Sequence, residues 1–259
     1  MTETQVVLLG TGAPIADPER SGPSLAVVVA GKAYLVDFGP GVVRRAAAAH
    51  ANGIDALQVT NLEIAFLTHL HSDHTAGFPD LILTPWVLGR KKPLHVYGPP
   101  GLSQMTDHIL AAYEMDKEIR VCGLEPSNPQ GYGVTTHEIS VGDCYCDDNI
   151  RVESFKVDHG EGWLAFGYQF ATSDRRIIVS GDTAPLDVEL ERWKGCDVLV
   201  HEVYSSSGLL KRPPSWQKYH SNMHTSGAQL GRIAKRVQPK ILLLTHILCW
   251  GSSEKELLD

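Results

Sequence analysis

The chain has 259 residues, 43% of them hydrophobic, with 30 acidic against 23 basic side chains and a net charge of −7. That length can bury the core of one domain running over 1–259, and no apolar run approaches the roughly 20 residues that cross a bilayer. The acidic balance disfavours, without forbidding, a protein that grips nucleic-acid phosphates.

The polar start, Met1-Thr2-Glu3-Thr4-Gln5, reads as entry into a strand and not as a signal peptide. Strands are predicted at Val6–Leu9, Leu25–Val29 and Ala33–Val36, followed by a helix at Val42–Ala51. A short apolar strand, Ile64–Leu67, leads into Thr68-His69-Leu70-His71-Ser72-Asp73-His74-Thr75. Three imidazoles and a carboxylate within six residues have little use in a core, where each needs a polar partner. His69 and His71, two apart in extended backbone, point the same way. Asp73 and His74, at the start of the next helix, are free to serve a different point. The motif can therefore feed two metal ions.

Further on, a helix is predicted at Thr75–Leu88, a strand at Leu94–Tyr97 and a helix at Ser103–Ile119. Strands follow at Val134–Ile139, Ile150–Val157, Ala165–Phe170 and Ile177–Val179. A helix at Asp187–Trp193, a strand at Val198–Val200, a helix at Thr225–Val237 and a strand at Ile241–Leu244 complete the reading. Three strand ends supply more ligands: His159, Asp182 and His246. Strand ends are where α/β folds collect function. A dinuclear site can then be drawn, with His69, His71 and His159 on one ion and Asp73, His74 and His246 on the other. Asp182 is the natural bridge, because a carboxylate readily holds two cations. Such ligands suit zinc, with manganese or iron as alternatives.

The His-x-His-x-Asp-His run, together with Val6–Gly12, Val36–Gly41 and Leu244-Thr245-His246, resembles the metallo-β-lactamase superfamily over nearly the whole chain. His201-Glu202-Val203, His224-Thr225-Ser226 and Ser180-Gly181-Asp182-Thr183 are similar to motifs of its ribonuclease Z branch. The resemblance implies a four-layer αβ/βα sandwich with the dinuclear site at its edge, and a homodimer. It also implies a hydrolase, with a metal-bridging hydroxide as nucleophile on a phosphodiester. Catalytic residues would be Asp73, itself a ligand, with His224 as general acid or phosphoryl stabiliser and Glu202 orienting it. Glu202 and His224 could instead be a buried polar pair. Ribonuclease Z enzymes that grip tRNA carry a long basic arm, whereas residues 121–150 here are short, acidic and almost free of Lys and Arg. Small phosphodiesters or esters are therefore expected ahead of RNA, and ester, lactone or β-lactam hydrolysis is the alternative activity.

Arg90-Lys91-Lys92, Lys211-Arg212 and the group Arg232, Lys235, Arg236 are basic clusters whose default role is solvated surface charge. The five cysteines read as reduced thiols of a cytoplasmic protein. Trp86 and Trp250 are expected to pack rather than to wall a substrate site, and His50, His95, His108, His137 and His220 have no spacing that joins them to the ligands.

Overall fold

The computed structural model describes residues 3–162 and 164–258. The chain divides into two compact units. One is the N-terminal segment up to Gly10 with Ala16–Ser140, and the other is Thr11–Ile15 with Val141 onward. Each carries one six-stranded mixed sheet flanked by helices.

In the first unit the strands β1 (Gln5–Gly10), β2 (Ser24–Val29), β3 (Lys32–Val36), β4 (Ile64–Phe66), β5 (Leu94–Gly98) and β6 (Val134–Glu138) lie in that order. The first three pair antiparallel, and β3 through β6 pair parallel. Ala30 and Gly31, both at positive φ, close the β2–β3 hairpin, as the twist of paired strands favours. The parallel strands are joined through helices: α1 (Val42–Ala51), then α2 (Ser72–Thr75) and α3 (Phe78–Val87), then α4 (Leu102–Ala112) and α5 (Glu114–Cys122). Val42, Val43 and Ala46 of α1 and Phe78, Leu81 and Ile82 of α3 share one core with Leu9, Val28 and Leu35 of the sheet.

In the second unit the order is β12-β11-β10-β9-β8-β7. The strands β7 (Gly142–Cys146), β8 (Ile150–Lys156), β9 (Phe166–Thr172) and β10 (Arg176–Val179) run antiparallel, whereas β10, β11 (Val198–Tyr204) and β12 (Ile241–Leu248) are parallel. The helix α6 (Leu190–Trp193) joins β10 to β11. From β11 the chain runs through α7 (Ser206–Leu209), α8 (Pro214–Met223) and α9 (Gly227–Val237) to β12, and α10 (Glu254–Leu258) follows. Leu230, Ile233 and Val237, on one face of α9, pack with Trp193, Phe155, Ile178 and Leu199.

Most predicted elements are present, although β11 runs to Tyr204 beyond the predicted Val200 and α6 starts at Leu190 instead of Asp187. The helix predicted at Thr75–Leu88 is two helices, parted at Gly77, where a Cβ would stand 2.4 Å from the Gly39 carbonyl oxygen. The one predicted at Ser103–Ile119 breaks at Tyr113. Strand β7 and helices α7, α8 and α10 have no predicted counterpart. Strand β12 runs four residues beyond Leu244, through a bulge. Among the described residues no helix is long and apolar enough to cross a membrane.

Candidate functional site

In the first unit the ligand-rich run leaves the buried end of β4, at the carboxyl ends of the parallel strands. His71 is extended and caps α2, so His69 and His71 precede the helix while Asp73 and His74 open it. His69 Nε2 and His71 Nδ1 converge to 2.8 Å. The His69 and His74 rings lie 4.2 Å apart, and His74 Nε2 is 3.6 Å from Asp73 Oδ2. The opposite sides of these rings are held from behind. His74 Nδ1 donates to Asp37 Oδ2 at 2.8 Å. The Thr68 hydroxyl lies 3.0 Å from His69 Nδ1 and itself donates to Asp37, which also accepts the Thr68 backbone N–H at 2.8 Å. Asp37 thus braces two histidines and binds through its own loop, with φ at 57°. Gly39 lets that loop press on the ligand helix, since a Cβ there would sit 2.6 Å from the Asp73 carbonyl oxygen.

In the second unit Asp182 follows β10, and His246 lies inside β12. The β11–β12 register shifts between Glu202 and Val203, which makes His246 the extra residue of a bulge, at φ 44°. A bulge of this kind re-aims one side chain, here bringing His246 Nε2 to 3.1 Å from Asp182 Oδ2. His159 donates its Nδ1–H to the Met223 carbonyl at 3.0 Å, which fixes its tautomer and leaves Nε2 as a lone-pair nitrogen 4.0 Å from Asp182 Oδ2. His69, His74, His159, Asp182 and His246 are all at least 97% buried.

Glu202 and His224 meet because of how β11 ends. The backbone N–H of Tyr204, two residues beyond Glu202, donates to the Thr225 carbonyl at 2.9 Å, so the 224–226 segment runs beside the strand. Glu202 Oε1 accepts the N–H groups of Thr183 (3.2 Å) and Thr225 (2.9 Å), and His224 Nδ1 stands 3.3 Å away. Glu202 Oε2 accepts no hydrogen bond from the described residues. Full burial, then the nearby Asp182 charge, push the Glu202 carboxyl well above the ordinary carboxylate range, a cost that a positive neighbour would relieve. The His224 ring lies 5.1 Å from that of His159 and 5.4 Å from that of His246. His201, buried beside this pair, donates Nδ1–H to the Glu202 carbonyl, and burial holds its pKa down at about 4, consistent with a structural role.

The donor set fits divalent metal ions. Imidazole nitrogens and carboxylate oxygens converge within each unit, while the far nitrogens of His69, His74 and His159 are tied to protein acceptors. Such pinning is what ligating histidines require.

Sequence reasoning left His220 aside, yet its ring packs 5.5 Å from His224 and 4.5 Å from Trp250. The four-residue spacing from His224 was the available signal, once helix α8 is seen. Arg90, read as part of a surface cluster, is fully buried and donates to the carbonyls of Leu62, Leu81, Ile82 and Gly131. Trp86 packs on Tyr132, as expected. All five cysteines are free thiols.

A β-lactamase superfamily domain model matches residues 32–247. Ribonuclease Z of Mycobacterium bovis (strain BCG / Pasteur 1173P2) is 32% identical over 246 residues, covering 93% of this chain and 85% of that protein. Ribonuclease Z of Mycobacterium sp. (strain KMS) is 34% identical over 248 residues, covering 94% and 84%. The crystal structure of human tRNase Z, short form, superposes with a TM-score of 0.73 at 23% identity, covering 94% of this chain and 92% of that one. The αβ/βα fold expected from the sequence is the fold of that structure.

Proposed function

We propose, for a chain that belongs to the β-lactamase superfamily and within it to the ribonuclease Z-like branch, hydrolysis of phosphodiesters with two divalent metal ions. The chain is a metal-dependent hydrolase by that membership. Zinc is the preferred metal on the ligand chemistry, with manganese or iron next. His69, His71 and His159 would hold one ion and Asp73, His74 and His246 the other, with Asp182 shared. Bound there, the ions would supply Lewis acidity, lowering the pKa of water toward about 7 and polarising a phosphoryl oxygen.

The observation that carries the phosphodiester reading is the Glu202–His224 pair. Metal ions do not provide a proton for the departing oxygen. His224, with Nδ1 turned to a carboxylate that two backbone N–H groups hold in place, can do so from its other nitrogen. Glu202 positions the ring. Asp73 would hold metal beside His74, whose Nε2 stands 3.6 Å from Asp73 Oδ2.

The relatives named ribonuclease Z support RNA as a substrate more strongly than the net charge argues against it. Small phosphodiesters remain within the same chemistry. A homodimer and a cytoplasmic setting belong to this reading as well.

The test is turnover of bis(p-nitrophenyl) phosphate by zinc- or manganese-loaded protein. Activity should vanish with a chelator and fall at least tenfold in His224→Ala. Protein holding two metal equivalents that turns over carboxylic esters or lactones but no phosphodiester would overturn the proposal.

A further inference from the structure

The net charge of −7 conceals a segregated distribution. From Val203 to Ser253 there is no Asp or Glu, while Lys211, Arg212, Lys218, Arg232, Lys235, Arg236 and Lys240 all fall there. Arg236 and Lys240 are paired with Asp187 and Asp197. Lys211 and Arg212 instead precede helix α8 and Lys218 lies within it, on the stretch that ends at His224.

On that helix Trp216 is 46% exposed and Tyr219 37% exposed, though both are large rings that a core would bury with profit. Their centroids lie 5.7 Å apart at 82°, forming a corner of two rings open to solvent. The Arg212 guanidinium stands 5.5 Å from the Trp216 ring centroid, and its Nε has no hydrogen-bond partner among the described residues. Behind the corner the rings continue inward. Trp216 stacks on His220 at 5.6 Å and 23°, and His220 lies 5.5 Å from His224. The corner therefore connects, ring by ring, with the proposed proton donor.

We propose that the Trp216–Tyr219 corner, rimmed by Lys211, Arg212 and Lys218, is a stacking platform for a nucleobase adjoining the cleaved phosphodiester of a single-stranded nucleic acid. This rests on the phosphodiesterase reading and adds to it the part of the substrate that is recognised. Exposed aromatic rings set among cations are how single strands are held without base-specific hydrogen bonds: rings take the bases, and cations take the phosphates. A small aryl phosphodiester would use His224 but would have no need of the cationic rim.

The test is fluorescence anisotropy of a labelled, phosphorothioate-linked hexa-adenylate with the zinc-loaded protein. An abasic chain of equal length and charge serves as the comparison. Trp216→Ala should weaken hexa-adenylate binding about tenfold, Trp216→Phe less than threefold, and neither should change binding of the abasic chain. Hexa-adenylate bound equally by wild type and Trp216→Ala would overturn the platform. So would wild type that binds the abasic chain as tightly as the adenylate, since that is charge attraction alone, or wild type that binds neither. A Trp216-dependent complex whose ordinary phosphodiester analogue is never cut would leave the platform standing and sink the phosphodiesterase reading.

Discussion

Two buried carboxylates that need touch no metal organise the histidines around them. Asp37 ties His74 directly and His69 through Thr68, so one side chain sets the aim of two proposed ligands. Asp37→Ala should lower zinc affinity by about 10- to 100-fold, read by competition with a chelating indicator. His201 gives a separate outcome. Its pKa falls from the ordinary 6.5 to about 4 because burial disfavours the cation. The unfolded chain then binds the extra proton first, so the stability His201 contributes is complete above about pH 6.5 and is lost as pH falls toward 4. Between pH 7 and 5 the loss is about 2 kcal/mol. Urea denaturation at the two pH values should show that difference shrinking by about this amount in His201→Phe.

At the level of elements, the site depends on places where regular structure is interrupted. The bulge in β12 turns His246, and the join between α8 and α9 sets His224. Ser226 caps α9 in a reciprocal box with Gln229, which fixes the backbone two residues from His224. Ser226→Ala should cost about 1 kcal/mol in urea denaturation and lower kcat as His224 loosens, with metal content unchanged. The proposed ligands stood out in the sequence because their residue types are costly anywhere else. The interruptions were not. Ile241–Leu248 is a continuous apolar run apart from Thr245 and His246, and nothing in its composition marks an extra residue. Helix α8 begins at Pro213-Pro214, which reads as loop, although proline suits a first helical turn. Strand β7, at the sheet edge and half-buried, has no apolar alternation to announce it.

For the whole molecule, the positions of most strands and helices follow from hydrophobic patterning, which is why most elements could be placed in advance. Charge was harder to read, because a sum cannot show that 203–253 holds seven basic groups without one acid. Arg90 illustrates the converse, a cation inside a basic run that the fold draws into its interior to satisfy four carbonyls. Removing metal should lower the melting temperature by about 5–10 °C relative to protein with free zinc at a hundredfold excess over Kd, measured by scanning calorimetry. The His159–Met223 hydrogen bond also has a thermodynamic consequence. It joins His159, a proposed ligand, to the residue before His224, the proposed proton donor, so a shift of one imidazole is carried to the backbone that seats the other. Linkage of this kind is reciprocal: wherever an ion held by His159 alters proton binding at His224, protonating His224 alters the hold on that ion by the same free energy. Zinc and manganese forms should therefore differ in the alkaline limb of the pH–rate profile, where the departing group loses its proton source.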